Sequence, residues 1–419
     1  MASSLTTNEA GPSRLTTIPK TTAKGEKKMG TMVIKGKTMK SVDVDWNEFY
    51  YTNCPLISAS NVDQELGWVK EEFKKIGVAY KYLRSTREND WYPHYVHNLD
   101  NLMRFGGCNP AIHVQADIRR TRLIGSTHVY EGGVIIVRAR DPIYRMTDLK
   151  GKKIGLSKSL NVIKNDWWRI QEHQGIELML TLNGMTMKDV EIVEFPYPDD
   201  WYDKPEMLTP MENPNEYQLK RDHKHDLAFR PLETALEKGV IDAMYSQSKV
   251  LSVLSEATGK FKSIEDLSRH PDWTLQGANV PATLTVTDVA CKEHPELVVA
   301  LLKGLIKVGR WANEYKRASC AILNKQTYYL DEEDTYEGIR RVDMVPSLSA
   351  RNLESLQINK DFMFKNGYIE RDFDVFEWAA PEFLEMAAKE LLEEEWKRRS
   401  MARLPEARPL EDVMKMRLG

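Results

Sequence analysis

Apolar positions along the chain alternate between a strand period and a helix period. Residues 47–54 (NEFYYTNC) are aromatic-rich and strand-like, and Pro55 stops the run. Leu66, Val69, Phe73 and Ile76 then repeat at helical spacing, with Gly77 as the expected stop. Residues 78–83 read as the next strand, and strand–helix–strand order predicts a parallel α/β layer. Short β-rich runs follow at 110–115, 122–128 and 133–138. From Asp148 the texture changes: DLKGKKIGLSKS predicts a charged turn, a buried strand, and hydroxyl residues able to open a helix. A helix at 177–182, a strand at 190–195, a helix at 232–238 and a strand at 240–245 come next. Near Leu284 the pattern returns with a strand at 285–290. A helix from Pro295 is striped by Leu297, Leu301, Leu305, Val308 and Ala312. A last helix opens at Pro381, and its charge run reads as a solvated face.

Composition bounds this picture. The 419 residues suit two lobes with appendages, and 42% hydrophobic content supplies a substantial core. Lys and Arg total 59 against 62 Asp and Glu, a net charge of −3. That balance gives no whole-protein field for nucleic acid or an anionic membrane. Four cysteines are too few for a disulfide framework and read as free thiols in a reducing compartment. Residues 1–40 carry eight basic and two acidic side chains and read as a disordered basic tail, with order expected from about Val42. No apolar run in the first 22 residues would serve as a signal-peptide core, and no 18-residue apolar stretch occurs. The expectation is a cytoplasmic protein, monomeric, with neither nucleic-acid nor membrane partner. The polar, proline-bearing stretch at about 196–228 suits a surface insertion such as a flap.

Candidate chemistry concentrates early in the chain. Cys54 ends a strand before a loop leading to a helix, where ligands collect in open α/β sheets. A thiol there can be made reactive by a helix start and nearby cations, the competing reading being a buried inert cysteine. Arg104 precedes Gly106 and Gly107. Its guanidinium fork suits a sulfinate or carboxylate, and the glycines let backbone N–H groups approach an anion. His94 can orient a substrate or move a proton. His97 follows three residues on, but no third ligand with credible spacing appears, so no metal is expected. In the second lobe, Ser157 and Ser159 stand where a strand gives way to a helix, a natural anion contact. Trp167 and Trp168 can cover an aromatic ring or simply pack, and Tyr245 to Gln247 end a strand expected to face the cleft.

Four segments carry a family resemblance: 148–157, 235–246, 285–315 and the opening strand–helix unit. Together they resemble the type II periplasmic-binding-protein fold of the nitrate, sulfonate and thiamin-precursor group. The resemblance implies two α/β lobes closing on a ligand cleft, lobe 1 from 41–140 plus 275–419 and lobe 2 from 141–274. Within that group, YTNCP at 51–55, His94 with RFGG at 104–107, and EWAAPEFL at 377–384 resemble the 2′-hydroxybiphenyl-2-sulfinate desulfinases. The resemblance implies a catalytic Cys54, sulfinate contacts at His94, Arg104 and Gly107, and C–S cleavage of an aryl sulfinate to sulfite with no cofactor. Gln247 after DAMYS, the stretch YVHNLDNLM and the 196–228 insertion depart from the family pattern and point to a smaller or more polar anion. Two other functions stay open, a non-catalytic binding protein for a small organic anion and a thiamin-pyrimidine-synthase-like enzyme. Against the latter, no cluster of adjacent cysteines occurs.

Overall fold

The computed structural model describes residues 31–34, 37–40, 44–85, 92–129, 132–199, 231–246, 256–270, 272–275, 277, 279–327 and 331–402. Its strands in chain order are β1 Thr31–Ile34, β2 Lys37–Lys40, β3 Glu48–Asn53, β4 Ala79–Tyr82, β5 Leu102–Gly106, β6 Thr121–Thr127, β7 Val134–Arg138, β8 Lys153–Ser159, β9 Glu191–Tyr197, β10 Ala243–Ser246, β11 Phe261–Asp266 and β12 Ala282–Thr287. β1 and β2 pair antiparallel, with Thr31 opposite Lys40, so residues 31–34 and 37–40 form a two-stranded ribbon where a disordered tail was expected.

The other strands form two five-stranded sheets, ordered β4-β3-β5-β12-β6 and β11-β7-β10-β8-β9. β3 is parallel to β4 and β5, while β12 runs antiparallel between β5 and β6. The second sheet repeats the scheme, with β8 parallel to β9 and β10, and β7 antiparallel to β10 and β11. The chain therefore passes between sheets twice, through 128–133 and back through 267–281. β7, expected in the first lobe, pairs in the second, so the first crossing comes before Val134 rather than near 140.

Each sheet has its own core. Phe49 of β3 stacks on Phe73 of the helix Trp68–Lys75, with ring centroids 5.2 Å apart. The striped helix Pro295–Glu314 adds Leu297, Leu301, Leu305, Val308 and Ala312 to that core. In the second lobe Ile135, Ile154, Met179 and Tyr245 pack together.

Some local expectations give way to specific hydrogen bonds. The helix expected across Leu66 to Ile76 is two helices, Ala59–Leu66 and Trp68–Lys75. The break is held by the Asp63 carboxylate, which accepts the N–H groups of Trp68 at 2.7 Å and Val69 at 3.2 Å. The β-rich run at 110–115 is instead the helix Cys108–His113 and the wider turn Val114–Ile118 that continues it. The strand at 285–290 ends at Thr287, whose hydroxyl accepts the Ala290 N–H at 3.2 Å and starts a helix. No helix among the described residues is long and apolar enough to cross a membrane.

The word EWAAPEFL is a clamp on the edge of the first sheet. The Ala380 N–H donates to Leu123 O at 2.9 Å, and Arg122 donates to Glu377 O and Ala379 O at 3.0 and 2.9 Å. The buried Trp378 indole donates to Thr121 Oγ1 at 3.0 Å. We predict that Trp378→Ala costs about 3–5 kcal/mol, as for other buried tryptophans cut to alanine. Urea titration checks this; a loss under about 1 kcal/mol would mean that the clamp is dispensable.

Candidate active site

Cys54 lies just past β3, held by its backbone on both sides. Its N–H donates to Phe105 O of β5 at 2.9 Å, and its carbonyl accepts from the Asn61 side chain at 2.8 Å. Asn61 belongs to the helix Ala59–Leu66, capped by Ser58, so strand end, loop and helix start are tied together. The short helix Tyr92–Val96 brings His94 over the same strand end. His94 Nε2 lies 3.3 Å from Cys54 Sγ, and Nδ1 lies 2.8 Å from Thr52 Oγ1. Thr52 stands two residues before Cys54 on β3, the period that puts both on one face of a strand.

Arg104 reaches this cluster from β5, the neighbour of β3. It is fully buried. Nε donates to His94 O and Nη1 to Gly107 O, both at 2.9 Å, while Nη2 lies 3.8 Å from Cys54 Sγ. The sequence suggested a fork free to grip two ligand oxygens. Two arms of that fork instead hold the backbone, and one faces the thiol. No carboxylate among the described residues pairs with Arg104. Gly106 and Gly107 close the cradle: a Cβ on Gly106 would overlap Cys54 Sγ, and one on Gly107 would overlap the Asn279 side chain.

His97 lies outside this cluster. It is buried with Nε2 at 3.1 Å from Thr285 Oγ1, and burial with the Arg104 and Arg119 charges holds its pKa well below the usual histidine value. The other cysteines have a different setting from Cys54. Burial pushes the thiols of Cys108 and Cys291 up to about 12 and raises that of Cys320. All four cysteines are free.

The second-lobe candidates divide. The Ser157 N–H and hydroxyl donate to Glu172 at 2.8 and 2.9 Å. The Ser159 hydroxyl donates to Asp199 at 2.8 Å and its N–H to Asp166 at 2.6 Å. These donors, expected to meet an anion, are committed to carboxylates of the protein. Trp167 and Trp168 stack on each other, centroids 4.4 Å apart, at the start of the helix Trp167–Leu182. Tyr245 is a core residue rather than a cleft wall, and its hydroxyl donates to Gly277 O at 2.8 Å. Gln247 and most of the 196–228 insertion lie outside the described residues.

Sequence reasoning missed Thr52, which strand alternation from Cys54 would have found, and Lys164, for which no local signal exists. The Lys164 side chain is buried, pairs with Asp199 at 2.6 Å and lies 4.8 Å over the Tyr95 ring. Asn161 reaches the Tyr92 hydroxyl at 3.5 Å. Loop 161–165 of the second lobe thus lies against the helix that carries His94. Among the described residues no cluster of three or more His, Cys, Asp or Glu is placed to hold a metal ion.

No family model matches the chain. Among curated proteins, the 2′-hydroxybiphenyl-2-sulfinate desulfinases of Rhodococcus erythropolis and Rhodococcus qingshengii are each 26% identical over 360 residues, 80% of this chain and 92% of theirs. Among solved structures, a cysteine-to-serine mutant of the desulfurization enzyme DSZB in complex with biphenyl-2-sulfinic acid matches with a TM-score of 0.62. That match is 22% identical and covers 82% of this chain and 99% of that one. The periplasmic aliphatic sulphonate binding protein SsuA from Escherichia coli matches with a TM-score of 0.54 at 12% identity, covering 80% and 92%. The chain resembles the desulfinases in sequence, and its fold is the two-lobed periplasmic-binding-protein-like one.

Two predictions follow from this geometry. Gly106→Ala sets a methyl group against the Cys54 sulfur, and we expect any reaction carried by Cys54 to slow by roughly 100-fold, the scale of a 1 Å misplacement. Rates within about threefold of the parent would show that Cys54 tolerates displacement. Burial pushes Glu172 up to about 8, outweighing the hydrogen bonds from Ser157. The folded protein then holds a proton that the unfolded chain releases near the ordinary glutamate value. Stability is fully present below that value and declines as pH rises towards 8. Glu172→Gln cannot ionise, so its melting temperature should fall less between pH 5 and 8; parallel curves for the two proteins would sink the assignment.

Proposed function

We propose that this protein is a sulfinate desulfinase, cleaving the C–S bond of an aryl sulfinate and releasing sulfite with Cys54 as its reactive group. One observation carries the reading: the buried Arg104 guanidinium has no carboxylate partner among the described residues and directs one N–H towards Cys54 Sγ, itself in contact with His94. A buried cation without an anion is costly, so this position calls for a bound anion. The desulfinase relatives supply the anion's class, a sulfinate.

The net reaction is ArSO₂⁻ + H₂O → ArH + HSO₃⁻. Arg104 Nη2 holds a sulfinate oxygen, and Thr52 and His94 form a proton relay ending at the Cys54 sulfur. In one route the Cys54 thiol protonates the ring carbon as the C–S pair collapses onto it. Sulfur dioxide leaves, adds water and becomes bisulfite, and the released proton returns to the thiolate. In the other, the thiolate attacks sulfur, the ring carbon leaves and takes its proton through His94, and water cleaves the resulting Cys54 S–SO₂⁻ adduct into bisulfite and the free thiol. Closure of the lobes excludes bulk water in either route. The reaction requires no cofactor. The free thiols suit a reducing compartment such as the cytoplasm.

The test is sulfite release from a panel of aryl and alkyl sulfinates. Cys54→Ser should lose at least about 1,000-fold in rate, the scale set by loss of a nucleophile or its proton. It should still bind the sulfinate, as seen by calorimetry. Rapid-quench mass spectrometry of the parent separates the routes, because only the second adds SO₂ to Cys54. A Cys54→Ser protein that makes sulfite at the parent rate would remove the thiol from the chemistry. Tight binding with no sulfite from any substrate would instead mark a binding protein.

A further inference from the structure

We infer that Asn279, in the crossing that returns from the second lobe, is a positioning residue of the site. It caps the glycine turn from outside and so ties the Arg104 fork to the hinge between the lobes. The inference concerns the geometry of Arg104 and Cys54 and does not rest on the desulfinase reading. Three observations combine. The first is a missing cap. Gly107 is the N-cap of the helix Cys108–His113 and has no side chain to offer the free N–H groups of its first turn. Asn279 fills that role from 170 positions further along the chain: its Oδ1 accepts the Asn109 N–H at 2.7 Å. Asn109 is the second helical residue, where a capping side chain ordinarily binds. The Asn279 carbonyl also accepts the Cys108 N–H at 3.4 Å. The Asn279 side chain occupies the space that a Cβ at 107 would need, so only glycine fits there while Asn279 is in place.

The second observation is what the turn holds. The Gly107 carbonyl accepts Arg104 Nη1 at 2.9 Å, and the same guanidinium directs Nη2 towards Cys54 Sγ, 3.8 Å away. Two successive glycines leave the peptide planes of a turn free to rotate unless an outside contact fixes them. Asn279 is such a contact, meeting Gly107, Cys108 and Asn109 in succession. Displacing it turns the Gly107 carbonyl, and the guanidinium bonded to that carbonyl follows.

The third observation is where Asn279 stands. Two residues earlier, Gly277 packs on the second lobe. Its carbonyl accepts the Tyr245 hydroxyl at 2.8 Å, and a Cβ on it would press on Leu267 and on the Gly175 backbone. One residue later, Val280 packs on the first lobe. Its carbonyl accepts Asn359 Nδ2 at 2.6 Å and the Cys108 thiol at 3.5 Å. The crossing therefore changes lobe between Gly277 and Asn279, and the first residue on the far side grips the turn of the site. A rotation of the lobes about this crossing reaches Arg104 through that one side chain.

The experiment reads the Arg104 charge at the Cys54 sulfur. Iodoacetate and iodoacetamide alkylate the same thiolate with loss of iodide, and they are nearly equal in size, one anionic and one neutral. The ratio of their rates cancels access and thiolate fraction and reports the local field. Peptide mass spectrometry separates Cys54 from the other three cysteines, and circular dichroism checks each fold. In Asn279→Ala the iodoacetate-to-iodoacetamide ratio should fall roughly fivefold or more, the scale of a charge pair loosened by a few ångströms in a partly buried site. Tyr245→Phe removes only the hydroxyl bonded to Gly277 and should lower the ratio at least about twofold, with the double variant falling no further than Asn279→Ala alone. Thr287→Ala deletes a different helix cap on the first lobe and should leave the ratio unchanged. An unchanged ratio in Asn279→Ala overturns the inference. So does an equal fall in Thr287→Ala, the mark of general loosening, or an unchanged ratio in Tyr245→Phe, which would cut the turn from the hinge. Should Asn279→Ala not fold, Tyr245→Phe decides alone. Sulfite release by the parent from the sulfinate panel tests the desulfinase reading separately; its absence refutes that reading and leaves the alkylation ratio to decide this one.

Discussion

Arg104, a cation buried with no carboxylate partner among the described residues, is the constraint on which the site's arrangement depends. Its three arms reach three pieces of chain: the carbonyl of His94, the carbonyl of Gly107, and the sulfur of Cys54. Carbonyl oxygens solvate a guanidinium only partly, so the arrangement stays short of one negative charge. The same contacts orient the helix of His94 and the glycine turn relative to β3. A structural role and, in the reading proposed above, a ligand-binding one therefore rest on one side chain. Arginine suits both because its planar fork holds fixed directions, which a lysine's flexible ammonium would not.

In the proposed reading, the first lobe supplies the chemistry around that cation and the second encloses it. Cys54, His94, Arg104 and Thr52 come from three adjacent elements, β3, β5 and the helix Tyr92–Val96. The second lobe contributes Lys164 against Tyr95 and the face of the helix Trp167–Leu182 against Cys108 and Ala111. Tyr245 bears on how the two hold together. Its hydroxyl bonds Gly277 in the returning crossing, and its ring fills the space a Cβ on Gly133 of the outgoing crossing would need. One aromatic side chain thus packs against both connections between the lobes, the segments through which a hinge motion must act.

Much of the first-lobe site was legible because its signals are local. A cysteine before proline at a strand end, and an arginine before two glycines, have a physical meaning over a few residues. The second lobe was less legible because its outcome depends on distant partners. Ser157 and Ser159 stand at the end of β8, as expected for a ligand-binding serine. Whether their donors face a ligand was decided by Glu172, Asp166 and Asp199, which come from a helix, its cap and the end of β9. Tyr245 read as a cleft residue because β10 ends there, yet strand alternation turns it into the core. The run at 110–115 is apolar and short, a pattern that does not separate strand from buried helix. The helices Lys316–Gln326, Glu332–Ile339 and Ala350–Lys365 lacked a strong sequence stripe and were not anticipated.

In the reading proposed above, Arg104 forms an anion cradle in this two-lobed fold, and binding alone asks nothing more of it. Catalysis of C–S cleavage asks for a proton to be delivered and recovered beside the anion. Cys54, His94 and Thr52 form a continuous chain of exchangeable groups, at 3.3 and 2.8 Å, that ends on the sulfur facing Arg104. Purely structural contacts for His94 would not require a thiol at that end, and a purely electrostatic cradle would not require a histidine. The chain is also short of room: Gly106 touches the sulfur so closely that no side chain fits there. If the proposed anion sits at Arg104, a thiol this close takes up ligand volume, which a receptor would have no reason to accept. An enzyme whose reacting atom must approach the C–S bond gains from that proximity.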